Sequence, residues 1–290
     1  SWGSRPSGSQ LASAEMSGAN TLTASPDASR AVPLGAIGRR LSNPTTFVAV
    51  MLVITVVGLA LDRYANLGQQ VLLSVAAWAF LLVALALANR TERFQTVVVI
   101  VVATAAEVFG SLILGAYEYR LANLPLFVPA GHGIVYLSGL RLSQTPWATA
   151  HRRWFIGAAL AFLLGWAGLG LVVLDRLDVA GAIGALILAA FLLRSRNAAI
   201  YAGVFFFVAF LEIYGTAVGT WTWAETIPWI GLPDGNPPSG AAVGYVLFDI
   251  AALTLAPHLM RGWDRMRGRP EDGRPSPAPT RAASRAREAG

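Results

Sequence analysis

Glu107-Val-Phe-Gly110-Ser111, continuing through Gly115, Tyr117 and Tyr119 to Pro129-Ala-Gly131-His132, recurs about a hundred residues later as Glu212-Ile-Tyr-Gly215-Thr216, Gly219, Trp221, Trp223 and Pro233-Asp-Gly235-Asn236. Both stretches obey one pattern: E-x-x-G-[ST], a short spacer, G-x-[YW]-x-[YW], nine residues, then P-x-G-[HN]. The copies differ in length by one residue, between the two early glycines. Agreement of this extent implies duplication and directs attention to the place where two halves meet.

The surroundings of the motif decide the class. Hydrophobic residues make up 55% of the 290 positions, charged residues only 13%, and the mean hydropathy is +0.55, whereas soluble domains carry about 25% charged residues. A polytopic membrane protein is the expectation. The net charge of +6 belongs to the ends: residues 1–43 carry four Arg against two acids, residues 261–290 carry eight against four, and the middle carries ten of each. The basic pI is therefore no argument for nucleic acid. Absence of Cys removes disulfides, thiolate chemistry and Cys-ligated metal, and absence of Lys removes Schiff-base chemistry.

Residues 1–43, rich in Ser, Ala and Gly, read as a disordered tail, with Met16 a candidate start. Apolar stretches of membrane-spanning length follow near 45–61, 70–88, 95–115, 126–141, 154–174, 179–193, 198–218 and 240–258. The expected fold is an all-α integral membrane protein of eight transmembrane helices. Residues 44–152 and 153–260 form two four-helix repeats, and residues 261–290 an Arg- and Pro-rich cytoplasmic tail. Placing the N-terminus inside puts Arg39, Arg40, Arg90, Arg93, Arg141, Arg152, Arg153, Arg194, Arg196, Arg261, Arg265 and Arg267 in the cytoplasm, and leaves the opposite loops Arg63, Arg120 and Arg176. Both termini are then cytoplasmic, in a multi-pass protein of the cell membrane. An even number of helices per repeat makes the halves parallel, related by an axis along the membrane normal. Each Glu falls in a third helix, and the aromatic pair with P-x-G-[HN] forms an outward loop into the fourth.

Glu107 and Glu212 are the candidate catalytic residues, because a carboxyl inside a hydrocarbon slab is costly and faces the bundle interior. Hydrocarbon without a neighbouring cation disfavours a charged carboxyl, and a protonated acid is what general-acid chemistry on an apolar substrate needs. A purely structural Glu would only tie helices together. Ser111 and Thr216, four residues on, are placed to bond the carboxyls. Tyr117, Tyr119, Trp221 and Trp223 alternate, so each pair lines one face of an extended segment; aromatic walls suit an isoprenoid and stabilise a carbocation, although interfacial aromatic belts are ordinary. His132 and Asn236 occupy equivalent positions, His132 as a third catalytic candidate and Asn236 as a binding residue. Asp249, unmatched in the fourth helix, is a further binding candidate, or the partner of Tyr245 one turn earlier. Ser239 is read as capping the last helix. With three His in the chain and His151 and His258 on the inner side, no metal and no cofactor is expected.

The E-x-x-G segment, the second Gly, the aromatic-rich turn and the Pro-containing start of the next helix resemble the carotenoid biosynthesis membrane proteins typified by the bacterioruberin-type carotenoid hydratases. The resemblance covers residues 107–132 and, less closely, 212–236. It implies a membrane Glu acting on a lipid or isoprenoid partner, with water added to a terminal double bond. Read from the residues alone, acids in an aromatic cavity suit hydration or isomerisation of a C=C bond. The alternative from the same residues is a proton-coupled transporter or lipid carrier in which the paired Glu bind the proton.

Overall fold

The computed structural model describes Gly38 and residues 41–267, so most of the expected N-terminal tail and of the C-terminal one lies outside the described residues. Nearly all of the rest is helix: α1 (Pro44–Asp62), α2 (Leu67–Leu87), α3 (Arg90–Glu107), a π-helical stretch Val108–Ile113, β1 (Tyr117–Tyr119), α4 (Val128–Ser143), short α5 (Pro146–Ala150), α6 (Arg152–Val172), α7 (Val179–Arg194), α8 (Ala198–Val218), β2 (Trp221–Trp223) and α9 (Ala242–Met266). Every apolar stretch read from the sequence is a helix. Six of them (α1, α2, α3 with its π-helical extension, α6, α8 and α9) are long and apolar enough to cross a membrane, while α4 and α7 have 16 residues each. Their outward faces, with Val53, Leu72, Leu82, Val101, Trp154 and Leu186 among the exposed side chains, are apolar where a soluble protein would be polar. The molecule is a multi-pass helical membrane protein.

Helix starts follow local chemistry. Asn66 and Asn89 form capping boxes with Gln69 and Glu92, Pro44 opens α1 behind the Asn43 cap, and Asp178 accepts from the Gly181 N–H at the start of α7. The boundary expected at residue 261 moves, because α9 runs on to Met266. Ala241, not Ser239, stands at the start of α9, and no side chain caps it. Pro237 and Pro238 keep the chain out of helix geometry until they are passed.

The best-buried helices are α4 and α8. They meet at glycines: a Cβ on Gly203 would lie 2.2 Å from the Gly139 carbonyl oxygen, and one on Gly139 2.7 Å from the Val204 nitrogen. The extensive α4–α8 packing is mirrored by that of α3 on α9. In each pair the helix that carries one motif copy's Glu lies against the helix that follows the other copy.

The two copies differ by one residue, and the structure displays where it goes. After Glu107 the backbone widens into a π-helical turn, with Leu114 N–H donating to Phe109 O at 2.7 Å, whereas α8 stays α-helical through Glu212 to Val218. A π-helical turn holds one more residue than an α-helical one and so absorbs an insertion. Both helices then end on a left-handed glycine, Gly115 at φ 72° and Gly219 at φ 78°.

Candidate functional site

Beyond those glycines the chain runs extended, and β1 pairs antiparallel with β2: Tyr117 opposite Trp223, Glu118 opposite Thr222, Tyr119 opposite Trp221. Flanking bonds extend the ladder, Arg120 N–H to Thr220 O and Ala224 N–H to Ala116 O, both 2.9 Å. Exchanging the two motif copies leaves this ladder unchanged. The motif thus supplies its own partner, and the aromatic pairs of both copies fall on one face of a two-stranded ribbon above the two Glu.

Each carboxylate is held by its own copy's aromatic pair. Tyr117 and Tyr119 hydroxyls donate to Glu107 Oε2 at 2.8 and 2.9 Å. The indole N–H groups of Trp221 and Trp223 donate to Glu212 Oε2 at 3.0 and 3.1 Å. The glycine of E-x-x-G makes room for this. A Cβ on Gly215 would sit 2.0 Å from the Trp221 ring, and one on Gly110 3.1 Å from the Tyr117 hydroxyl. The four rings also pack on each other, Tyr117 against Trp223 at 4.6 Å between centroids and Tyr119 edge-on to Trp221 at 6.2 Å. Burial, and then the charge of Glu107, push the Tyr117 and Tyr119 phenols upward, so both stay protonated and donate.

The sites diverge at the last motif position. His132 Nε2 lies 2.9 Å from Glu107 Oε1, its Nδ1 is buried without a partner, and its ring packs 5.1 Å from Tyr245 and 5.7 Å from Phe248. Asn236 instead accepts the Trp223 backbone N–H at 3.0 Å and pins β2. The expected loop placement therefore holds for the second P-x-G-[HN] only. In the first, Pro129 sits in the opening turn of α4 and carries His132 into the helix.

Glu107, Glu212, His132, Tyr117, Tyr119, Trp221 and Trp223 all line one cavity of about 570 Å³, with Tyr245 and Phe248 of α9, Phe127, and apolar side chains of α1 and α2. Four expected residues do not reach it. The Thr216 hydroxyl donates to the Glu212 main-chain oxygen at 2.8 Å, the nearest acceptor for a helical hydroxyl, and not to the carboxyl. Ser111 does not line the cavity and makes no hydrogen bond to the Glu107 carboxyl. Asn236 serves the backbone, and Asp249, buried in α9 with Oδ2 unpartnered, lies off the cavity and forms no hydrogen bond with Tyr245. Two contributors were not legible: Tyr245, read only as a partner for Asp249, and the α1–α2 pair, whose apolar pattern carries no mark of a site.

The loops beside the ribbon brace it. Arg176 donates to the carbonyls of Trp223, at 3.0 Å, and Ala224, and Asp178 accepts the N–H groups of Gly235 and Ser239 at 3.0 and 2.8 Å. On the other side Arg120 donates to Ala65 O at 2.5 Å, Gln70 to Asp62 Oδ1 at 3.0 Å, and Asn123 to Gln70 at 2.8 Å. Leu61-Asp62-Arg63 and Leu174-Asp175-Arg176 repeat at these hairpins, a signal that could have drawn attention to them. No three metal-ligating side chains cluster among the described residues. Comparison with protein-family models, curated proteins and solved structures finds no significant match to the chain.

Proposed function

We propose that the protein is an integral membrane enzyme that hydrates or isomerises a C=C bond of an isoprenoid, carotenoid or similar lipid by general-acid chemistry. The observation that carries this reading is that two membrane-embedded glutamates share one apolar, aromatic cavity but have different partners. Both oxygens of Glu107 accept hydrogen bonds and one faces His132, which leaves the buried, unpartnered Nδ1 of His132 as the position where the pair takes up a proton. Glu212 is held through Oε2 alone; Oε1 has no partner among the described residues and is available to carry a proton. In hydration the Glu212 proton adds to one alkene carbon, and the adjacent carbon becomes a cation that the rings of Tyr117, Trp221 and Trp223 stabilise. Water adds there, and its surplus proton passes to the Glu107–His132 pair. In isomerisation the same pair removes a proton from the carbon next to the cation. Proton return from Glu107 to Glu212 resets the site.

The symmetric ladder and the mirrored α3–α9 and α4–α8 packing support two parallel four-helix repeats, eight spans in all with α4 and α7 as the short ones. The Arg distribution supports cytoplasmic termini and a cell-membrane protein whose site faces outward. The test is lipid and pigment profiling by mass spectrometry of cells with and without the protein. A product 18 mass units heavier supports hydration, an isobaric product supports isomerisation, and reconstituted vesicles that move unaltered substrate along a pH gradient would replace the enzyme with the proton-coupled carrier.

A further inference from the structure

The cavity has a side opening. Val53, Val57 and Leu61 of α1 and Phe80 of α2 line it and are also exposed on the apolar outer surface, so its wall continues onto the face that meets acyl chains. On α2 the lining positions Leu73, Ala76, Ala77 and Phe80 follow the spacing of a single helical face. Helices α1 and α2 touch each other far less than their counterparts α6 and α7. Three glycines from three helices, Gly58, Gly131 and Gly244, complete the wall, and a Cβ built on any of them meets nothing within 4 Å. Unlike Gly110, Gly139, Gly203 and Gly215, they make no room for a neighbouring part of the protein. The space they leave is cavity.

We propose that the cleft between α1 and α2 is a lateral portal through which the end of a long, linear, unsaturated hydrocarbon slides from the bilayer to the two glutamates, with Gly58, Gly131 and Gly244 setting its bore. This rests on the reading of the site as one that protonates a C=C bond. The lining excludes other lipid parts as the entering end. No Arg lines the cavity, and its one imidazole, His132, is already engaged with Glu107, so a phosphate or fatty-acid headgroup would find no free cation to pair with. The volume of about 570 Å³ is within the roughly 300–1,000 Å³ of small-molecule sites. It holds a chain terminus, and the remainder of a long chain stays in the cleft and the bilayer.

The chain has no native Cys, so a single thiol can plug the portal after folding. Full-length protein in phosphatidylcholine nanodiscs would carry Gly58→Cys, or as control Leu82→Cys, an exposed α2 position off the cavity. Each is left free or modified with a bulky benzyl thiosulfonate, and retention of tritiated squalene is measured against empty nanodiscs. Modified Gly58→Cys should bind squalene weaker than free Gly58→Cys by about tenfold or more, as overfilling a packed site does, while Leu82→Cys binds squalene alike whether free or modified. Equal binding by modified and free Gly58→Cys overturns the portal and leaves the site reading standing. No binding by the unsubstituted protein above empty nanodiscs overturns both.

Discussion

Glu212 and Glu107 have the same place in the motif but different surroundings, and that difference is testable residue by residue. Glu212→Gln keeps size and most hydrogen bonding but removes the transferable proton, so product formation should fall by about 10² or more with thermal stability in detergent near that of the parent; preserved turnover would make Glu212 structural. Tyr119→Phe removes one of three hydrogen bonds to a buried carboxylate and should cost about 1.5–3 kcal/mol, read from unfolding in detergent. Asp234 lies outside the helices, and burial, with the nearby Asp178 charge, pushes its carboxyl up to about 7 against the opposing Arg176. An acid with a raised folded-state pKa binds its proton more tightly when folded, so its contribution is full below pH ~4 and is lost as pH climbs to about 7. Asp234→Asn should flatten the fall in melting temperature across that window, and an unchanged slope would refute the assignment. At this scale the two Glu and their aromatic pairs were legible, because alternation fixes which side chains share a face of an extended segment. The bonds of Thr216 and Asn236 were not, because small polar side chains satisfy themselves on whatever backbone the fold brings within reach.

The helix ends carry the site, and one inserted residue shows how tightly. Between Glu107 and Gly115 the extra position is wound into the π-helical turn, so Glu and aromatic pair keep the same relation in both copies. Deleting Leu112 should therefore return this stretch to the α-helical winding of its twin and leave melting temperature and yield close to the parent's. Deleting Ala217 from the already α-helical twin should turn Gly219 and the ribbon away from Glu212 and abolish folded protein. Equal tolerance of both deletions would show that the insertion has no structural counterpart. Gly219→Ala, at φ 78°, should cost roughly 1–2 kcal/mol from left-handed strain, visible as a lowered melting temperature. The element boundaries were legible to within a few residues, since hydrocarbon thickness and Asn or Pro starts fix them. The winding within an element was not, because α and π turns differ by one backbone bond that no side-chain pattern encodes.

For the whole molecule, single cysteines at the exposed positions Ala122 and Trp229 should react with an impermeant thiol reagent from outside intact cells, and one at exposed Asn197 only after permeabilisation. The reverse pattern would turn the site to the cytoplasm and overturn the orientation drawn from the arginines. What the sequence determined by itself was the solvent and the recurring motif: apolar runs too long for a soluble core, and a motif that occurs twice with its spacing kept to within one residue. These are properties of chain segments, and they need no partner to be read. Only the tertiary structure decided that the two motif strands pair with each other, that His132 closes on Glu107 while Asn236 turns to the backbone, that Asp249 stays off the cavity, and that α1 and α2 stand apart beside it. Each of these depends on residues far apart in the chain being packed at one place, which is fixed by how helices fit against each other and left unrecorded by the pattern along any one of them.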